Sequence, residues 1–246
     1  FYLAQALAIR AFDYFTLVQL YQFNYKGHED APGVPIITPE NAEEAAANGC
    51  ARSTVKETYE FILGDLNKAI ELLANTKKTR SDKRYVSLDV AYGIRARVHL
   101  TMHNYADALK DAEAALASTS SVPYSSAAVS KPTFIDIEDA SWMWGILITD
   151  KDRVSTTGIC NFPSHMGSLN YGYASVGGWR RISPKLYNQI PESDVRKGWF
   201  LDDTGVSVNL PAAAQAYITK KGAPVYTQVK YGPMNDEWGS NNNATD

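Results

Sequence analysis

The stretch Ser87 to Leu116, SLDVAYGIRARVHLTMHNYADALKDAEAAL, constrains the fold most. Its second half sets Tyr105, Ala108, Leu109, Ala112 and Leu116 at offsets 0, 3, 4, 7 and 11. At the period of an α-helix, those offsets align five apolar side chains along one face. The first half places small residues, Ala91, Gly93 and Ala96, among the larger Tyr92, Ile94, Val98 and Leu100. Small residues let a neighbouring helix approach closely. A tight turn at His103-Asn104 separates the halves, so the stretch predicts two helices joined as a hairpin.

A helix with a small residue mid-way, followed by N-Y-x-x-A-L-x-x-A and further alanines at 106, 114 and 115, resembles a tetratricopeptide unit. An ordinary antiparallel helical hairpin accommodates the same residues. Either unit leaves apolar faces that it cannot bury alone, so other helix pairs are expected beside it.

Two such helices precede it. Phe1 to Tyr25 carries Leu3, Leu7, Phe15 and Val18 on one face, and Phe12, Leu20 and Phe23 widen its apolar surface, so most of this helix is expected to be buried. Arg10 and Asp13 interrupt it, and charges in that setting pair with each other or with carbonyls. Lys26 to Arg52 is a connection in which Pro32, Pro35 and Pro39 forbid a continuous helix and Val34 to Ile37 is extended. Ser53 is the expected cap of a second helix, with Val55, Tyr59, Ile62, Leu66, Ala69 and Leu73 alternating by four and three. Lys77, Lys78, Arg80, Lys83 and Arg84 form a basic cluster in the linker that follows, which reads as a solvated loop.

Together, ALAIRAFDYFTLVQLY, GVPIIT, RSTVKETYEFILGDLNKAIELL and the hairpin resemble the SusD/RagB family in order and spacing across residues 3 to 118. The likeness continues more loosely through DIEDASWMWGILIT and SPKLYNQIPESDVRKGWF. It implies a mostly α fold of tetratricopeptide-like helix pairs, with a long irregular excursion and a few short strands. It implies two parts: a helical one at residues 1–118 and a loop-rich, aromatic-rich, ligand-facing one at residues 119–246. It also implies a non-catalytic glycan-binding protein on the extracellular face of the outer membrane. Such a protein is lipid-anchored, serves a SusC-like TonB-dependent transporter and needs no cofactor. No lipobox cysteine stands at the start, since Cys50 and Cys160 are internal, and family members are typically about twice this length. The resemblance therefore implies a fragment lacking both ends, with its anchor outside this chain.

Past Ser118 the sequence turns Ser-, Ala- and Pro-rich. Trp142, Trp144, Ile146 and Ile148 alternate with other apolar residues, which suits a short strand or extended segment, with the tryptophans buried in the core. The 15 Tyr and 5 Trp are the unusual feature of the composition. Tyr171, Tyr173 and Trp179 lie among Gly172, Gly177 and Gly178, with Asn170, Ser175, Arg180 and Arg181 close by. Sugar rings present C–H faces that stack on aromatic planes, and their hydroxyls need amide and guanidinium partners. Candidate ligand-binding residues are thus Tyr171, Tyr173, Trp179, Asn170 and Arg180, with Trp238 a weaker sixth. The same aromatics also suit a loop pinned to the helices.

Motifs for catalysis are lacking. Ser53-Thr-Val-Lys56 matches S-x-x-K without its companion motifs, and His99 and His103 lack the glutamate of H-E-x-x-H. Asp136, Glu138 and Asp139, or Asp150 and Asp152, match no calcium loop. No catalytic or metal residue is assigned. A net charge of -3 gives no general attraction to nucleic acid or anionic lipid, and two cysteines specify no disulfide framework. No apolar run is long enough to span a bilayer. Glycan capture is the expected function; a tetratricopeptide-type scaffold for a protein or peptide is the alternative, and a glycoside hydrolase a third.

Overall fold

A computed structural model describes residues 1–132, 137–147 and 162–239. The chain divides into two compact units, Phe1–Ser120 and Ser121–Asp246. Among the described residues the structure is mostly helical, and no helix is long and apolar enough to cross a membrane.

The first unit is a run of helices packed on their chain neighbours. α1 (Tyr2–Tyr21) lies against α3 (Val55–Asn75), α3 against α4 (Leu88–Thr101), and α4 against α5 (Tyr105–Ser118). A short α2 (Ala42–Asn48) sits in the connection after α1. The 3-4 alternation read along α3 is its core face, for Val55, Tyr59, Ile62, Leu66, Ala69 and Leu73 are all buried. Fully burying one such large side chain is worth about 1.5–3 kcal/mol.

The start of α3 is capped by Thr54 rather than Ser53. Thr54 Oγ1 accepts from the Glu57 N–H (3.1 Å) and Glu57 Oε2 accepts from the Thr54 N–H (2.7 Å), a reciprocal capping box. Ser53 is committed elsewhere: its carbonyl accepts from Gly33 N–H and its own N–H donates to Val34 O. Gly33 is needed there, because a Cβ would lie 2.6 Å from the Thr54 carbonyl oxygen.

Polar ties fix the register between helices. Arg10 forks onto Asp65 of α3 (2.7 and 2.8 Å), and Arg95 of α4 forks onto Asp111 of α5 (2.6 Å for both bonds). Buried Gln5 donates to Val86 O and accepts from Val86 N–H, both at 2.7 Å, which seats the segment entering α4. The hairpin turn falls where the sequence placed it, with His103 in the left-handed region at φ 63.

Three expectations need correction. α1 buries only the face of Ala4, Ala8, Ala11, Phe15 and Val18, and leaves Leu3 and Leu20 largely exposed. The small alanines, which permit the closest approach, face α3, and the bulkier apolar residues are left outside. The Trp142–Leu147 stretch forms no strand. Trp142 and Trp144 are only half-buried and Ile146 is 71% exposed, because the Trp142 N–H closes a turn onto Asp139 O and its carbonyl accepts from Ser121 Oγ. Ile148 lies outside the described residues. In place of a few short strands, the described residues hold isolated bridges, Pro32 with Thr54, Arg181 with Thr227 and Phe200 with Gln228.

The second unit is built from short helices and turns: α6 (Ser126–Ser130), α7 (Phe162–Met166), α8 (Pro184–Gln189), α9 (Ala212–Lys220) and 3-10 turns at Tyr173–Ser175 and Val195–Trp199. Its core is Leu169, Leu201, Ile218 and Val229. Residues 225–229 run between two flanking segments. Ile182 N–H donates to Tyr226 O and Gln228 N–H to Arg180 O on one side; Leu201 N–H donates to Thr227 O and Val229 N–H to Trp199 O on the other.

Candidate functional site

The aromatic turn at 170–180 is held by its backbone. Gly172 O accepts from Ser175 N–H (3.1 Å) and from Ser175 Oγ (3.2 Å), and Tyr173 O accepts from Gly178 N–H (2.8 Å). The Tyr173 N–H donates to Ser164 Oγ of α7 (3.1 Å). These bonds require Gly172 and Gly178, where a Cβ would come within 2.6 Å of Ser164 Cα and 2.9 Å of Tyr173 O respectively. Gly172 and Gly178 thus serve close backbone approach, and the turn they permit is a fixed one.

On this turn Tyr171 is 57% exposed and Tyr173 45% exposed. Tyr173 stacks on His165 of α7, with ring centroids 5.2 Å apart and planes 10° from parallel. Arg180 holds the other side of that histidine: Nε donates to His165 O (2.9 Å) and Nη2 donates to His165 Nδ1 (3.1 Å). Accepting at Nδ1 leaves the imidazole proton on Nε2. Three of the five guanidinium N–H groups take no part in those two bonds. The stacked Tyr173, His165 and Arg180 thus offer an aromatic face with N–H donors along its edge.

The other candidates divide. Asn170 is buried and its N–H closes a turn onto Gly167 O, so it builds the loop from within. Trp179 and Trp238, 59 positions apart in the chain, are both half-buried against the Leu169 core beside Tyr217. Burial pushes the Tyr217 phenol above its ordinary range. The Gly239 N–H donates to Leu169 O, which fixes the Trp238 segment to the residue just before Asn170. The structure therefore places Tyr173 and Arg180 on His165 and the two tryptophans on the Leu169 core, with Asn170 buried and Tyr171 exposed on the same turn.

His165 is the member that sequence reasoning missed. Its partners are 8 and 15 residues away, and no local spacing marks it. Buried Gln228, whose Nε2 donates to Met166 O (2.7 Å), was missed for the same reason.

Nearby carboxylates have local duties. Asp194 forks onto Arg196, which holds its carboxyl at about 2, and Asp202 Oδ1 accepts from the N–H groups of Thr204 and Val206. His99 faces Asp111 at 3.9 Å while His103 stacks on Tyr105, so the two histidines have separate partners. Among the described residues no three His, Cys, Asp or Glu gather as a metal site. Asp136, Asp150, Asp152 and Cys160 lie outside the described residues.

Residues 2–100 match the SusD-like family, described as starch-binding and associating with the outer membrane. A SusD-like carbohydrate-binding protein from Bacteroides vulgatus superposes on 96% of this chain with a TM-score of 0.70 at 22% identity. The chain has a SusD-like fold. A SusD superfamily protein from Bacteroides thetaiotaomicron matches 91% of it with a TM-score of 0.63 at 21% identity, and another from B. vulgatus matches 92% with a TM-score of 0.61 at 20% identity. In each case this chain spans 46% of the other protein's length. A search among curated proteins finds no match. The family match covers α1 to α4, and the aromatic turn lies beyond it.

Proposed function

We propose that this SusD-like chain is the glycan-holding part of a non-catalytic capture protein. It works on the extracellular face of the outer membrane and passes oligosaccharides to a SusC-like TonB-dependent transporter. A lipid anchor carried outside this chain would tether it. The family description supports carbohydrate binding at the outer membrane, and the finer roles rest on the resemblance.

One observation carries the choice of site: Tyr171 and Tyr173 stand exposed on a turn whose backbone is already fixed. Rigid aromatic rings lose little side-chain freedom on binding, so stacking energy is not offset by ordering. Arg180 supplies donors beside them, while Trp179, Trp238 and Asn170 support the rim.

The test is a glycan-array screen followed by calorimetry, with maltoheptaose as the first soluble probe. Tyr171→Ala and Tyr173→Ala should each weaken binding by about 1–3 kcal/mol, the scale of losing a principal contact residue, with the melting temperature retained. Unchanged affinity in both variants, for a glycan the parent binds, would remove the site. An array with no bound glycan would remove the function.

A further inference from the structure

We propose that a polar cavity in the first unit, between α3, α4 and α5, binds a single neutral monosaccharide ring. The cavity has a volume of about 230 Å³. Pockets for drug-sized ligands run to about 300–1,000 Å³, so this one admits one small ring and excludes a chain. Its wall is already built. Arg95 Nε and Nη2 donate to the two carboxylate oxygens of Asp111 (both 2.6 Å), and Nη1 donates to Asn67 Oδ1 (2.7 Å). Asp111 is only 3% exposed. These bonds tie three helices together, so the groups lining the cavity are in place before a ligand arrives.

Three observations identify the ligand. The first is His99, which also lines the cavity and is unsatisfied. Its Nδ1 is buried with no hydrogen-bond partner among the described residues, and its Nε2 stands 3.9 Å from Asp111 Oδ2, beyond hydrogen-bond reach. A hydroxyl set beside that gap would accept from the Nε2 N–H and donate to Oδ2, because a hydroxyl does both. The second is charge. In the lining, Arg95 and Lys110 balance Asp107 and Asp111, and Arg95 and Asp111 are engaged with each other. A charged ligand therefore gains little, whereas a polyol uses what is left. Two of the five guanidinium N–H groups take no part in the three bonds above, exposed Lys110 is a further donor and exposed Asp107 an acceptor. The third is Leu63, an apolar wall against which the C–H face of a sugar ring leaves water. The inference stands on the first unit alone and is independent of the aromatic turn.

The experiment follows the ring signals of the four histidines of the 246-residue chain by proton–carbon NMR, with His99→Gln assigning the one in the cavity. D-glucose, D-galactose and D-mannose are added separately to about 50 mM, since a ligand this small binds in the millimolar range. At least one should shift the His99 signal to saturation and leave His103 unmoved. Asp107→Asn and Lys110→Gln should each weaken that binding about tenfold, the scale of losing a hydrogen bond to a charged group, with the melting temperature retained because both side chains are exposed. No saturable shift at His99 with any of the three sugars would overturn the proposal. So would an equal drift of all four rings, a shift that both variants retain, or glycine binding more tightly than every sugar, which would make the ligand a zwitterion. A sugar that moves His165 and not His99 would support the aromatic turn and overturn this site.

Discussion

Gly172→Ala asks whether the backbone of the aromatic turn is what presents Tyr171 and Tyr173. The new methyl would sit 2.6 Å from Ser164 Cα, 2.7 Å from its Oγ and 2.9 Å from its carbonyl oxygen. Carbon atoms settle at about 3.5–4.0 Å, so α7 and the turn must separate by roughly 1 Å. Two of the three clashing atoms are backbone, and no rotamer change relieves them. Overpacking of this kind costs about 1–3 kcal/mol. Separation also breaks the Tyr173 N–H to Ser164 Oγ bond, worth about 1 kcal/mol. The sum, about 2–4 kcal/mol, corresponds to a melting-temperature loss of roughly 10 °C for a unit of this size. α7 carries His165 as well, so its displacement takes away the stack beneath Tyr173 and the anchor of Arg180. Glycan affinity should therefore fall even at 20 °C, far below the melting transition. Scanning fluorimetry and calorimetry on the same glycan measure the two effects. A variant that melts and binds like the parent would refute the claim that close approach at Gly172 builds this surface.

Asp65→Ala should cost about 2 kcal/mol in urea unfolding, because it leaves the Arg10 guanidinium over Phe61 without its carboxylate; a cost under about 0.5 kcal/mol would make the fork incidental. Gly93→Ala should raise the stability of the 246-residue chain by up to about 1 kcal/mol, since Gly93 lies within α4 and an added Cβ there meets no atom within 4 Å; destabilisation would contradict that open space. Burial, with a smaller contribution from Tyr25, pushes the Tyr59 phenol up to about 12. A raised folded-state value means its contribution to stability is fully present below pH 10, the ordinary tyrosine value, and is lost as pH climbs towards 12. Absorbance titration at about 295 nm should lose part of its latest-ionising phase in Tyr59→Phe; a late phase unchanged by that substitution would count against this burial.

The legible parts of the fold were those where one local rule decided the outcome. α3 reads directly because its 3-4 alternation and its cap agree, and only the choice between Ser53 and Thr54 depended on the distant pairing with Gly33 and Val34. α1 was over-read because composition shows how much of a helix is apolar, and the neighbour decides which part is covered. Ala4, Ala8 and Ala11 were the better guide there, since they mark where another backbone comes close. Alternating Trp and Ile at 142–146 suggested a strand, yet a strand needs a partner, and the backbone bonds of Trp142 go to Asp139 and Ser121. At the candidate site, glycine-flanked tyrosines were visible as a group. His165 and Gln228 were not, because their importance lies in contacts with residues far along the chain.

The crossing of residues 225–229 between Arg180–Ile182 and Trp199–Leu201 sets an order of events in folding. The aromatic turn closes on bonds within residues 164–180, whereas the Arg180 carbonyl gains its partner only once Gln228 has been made, so the turn can form before the strand-like crossing that secures its far end.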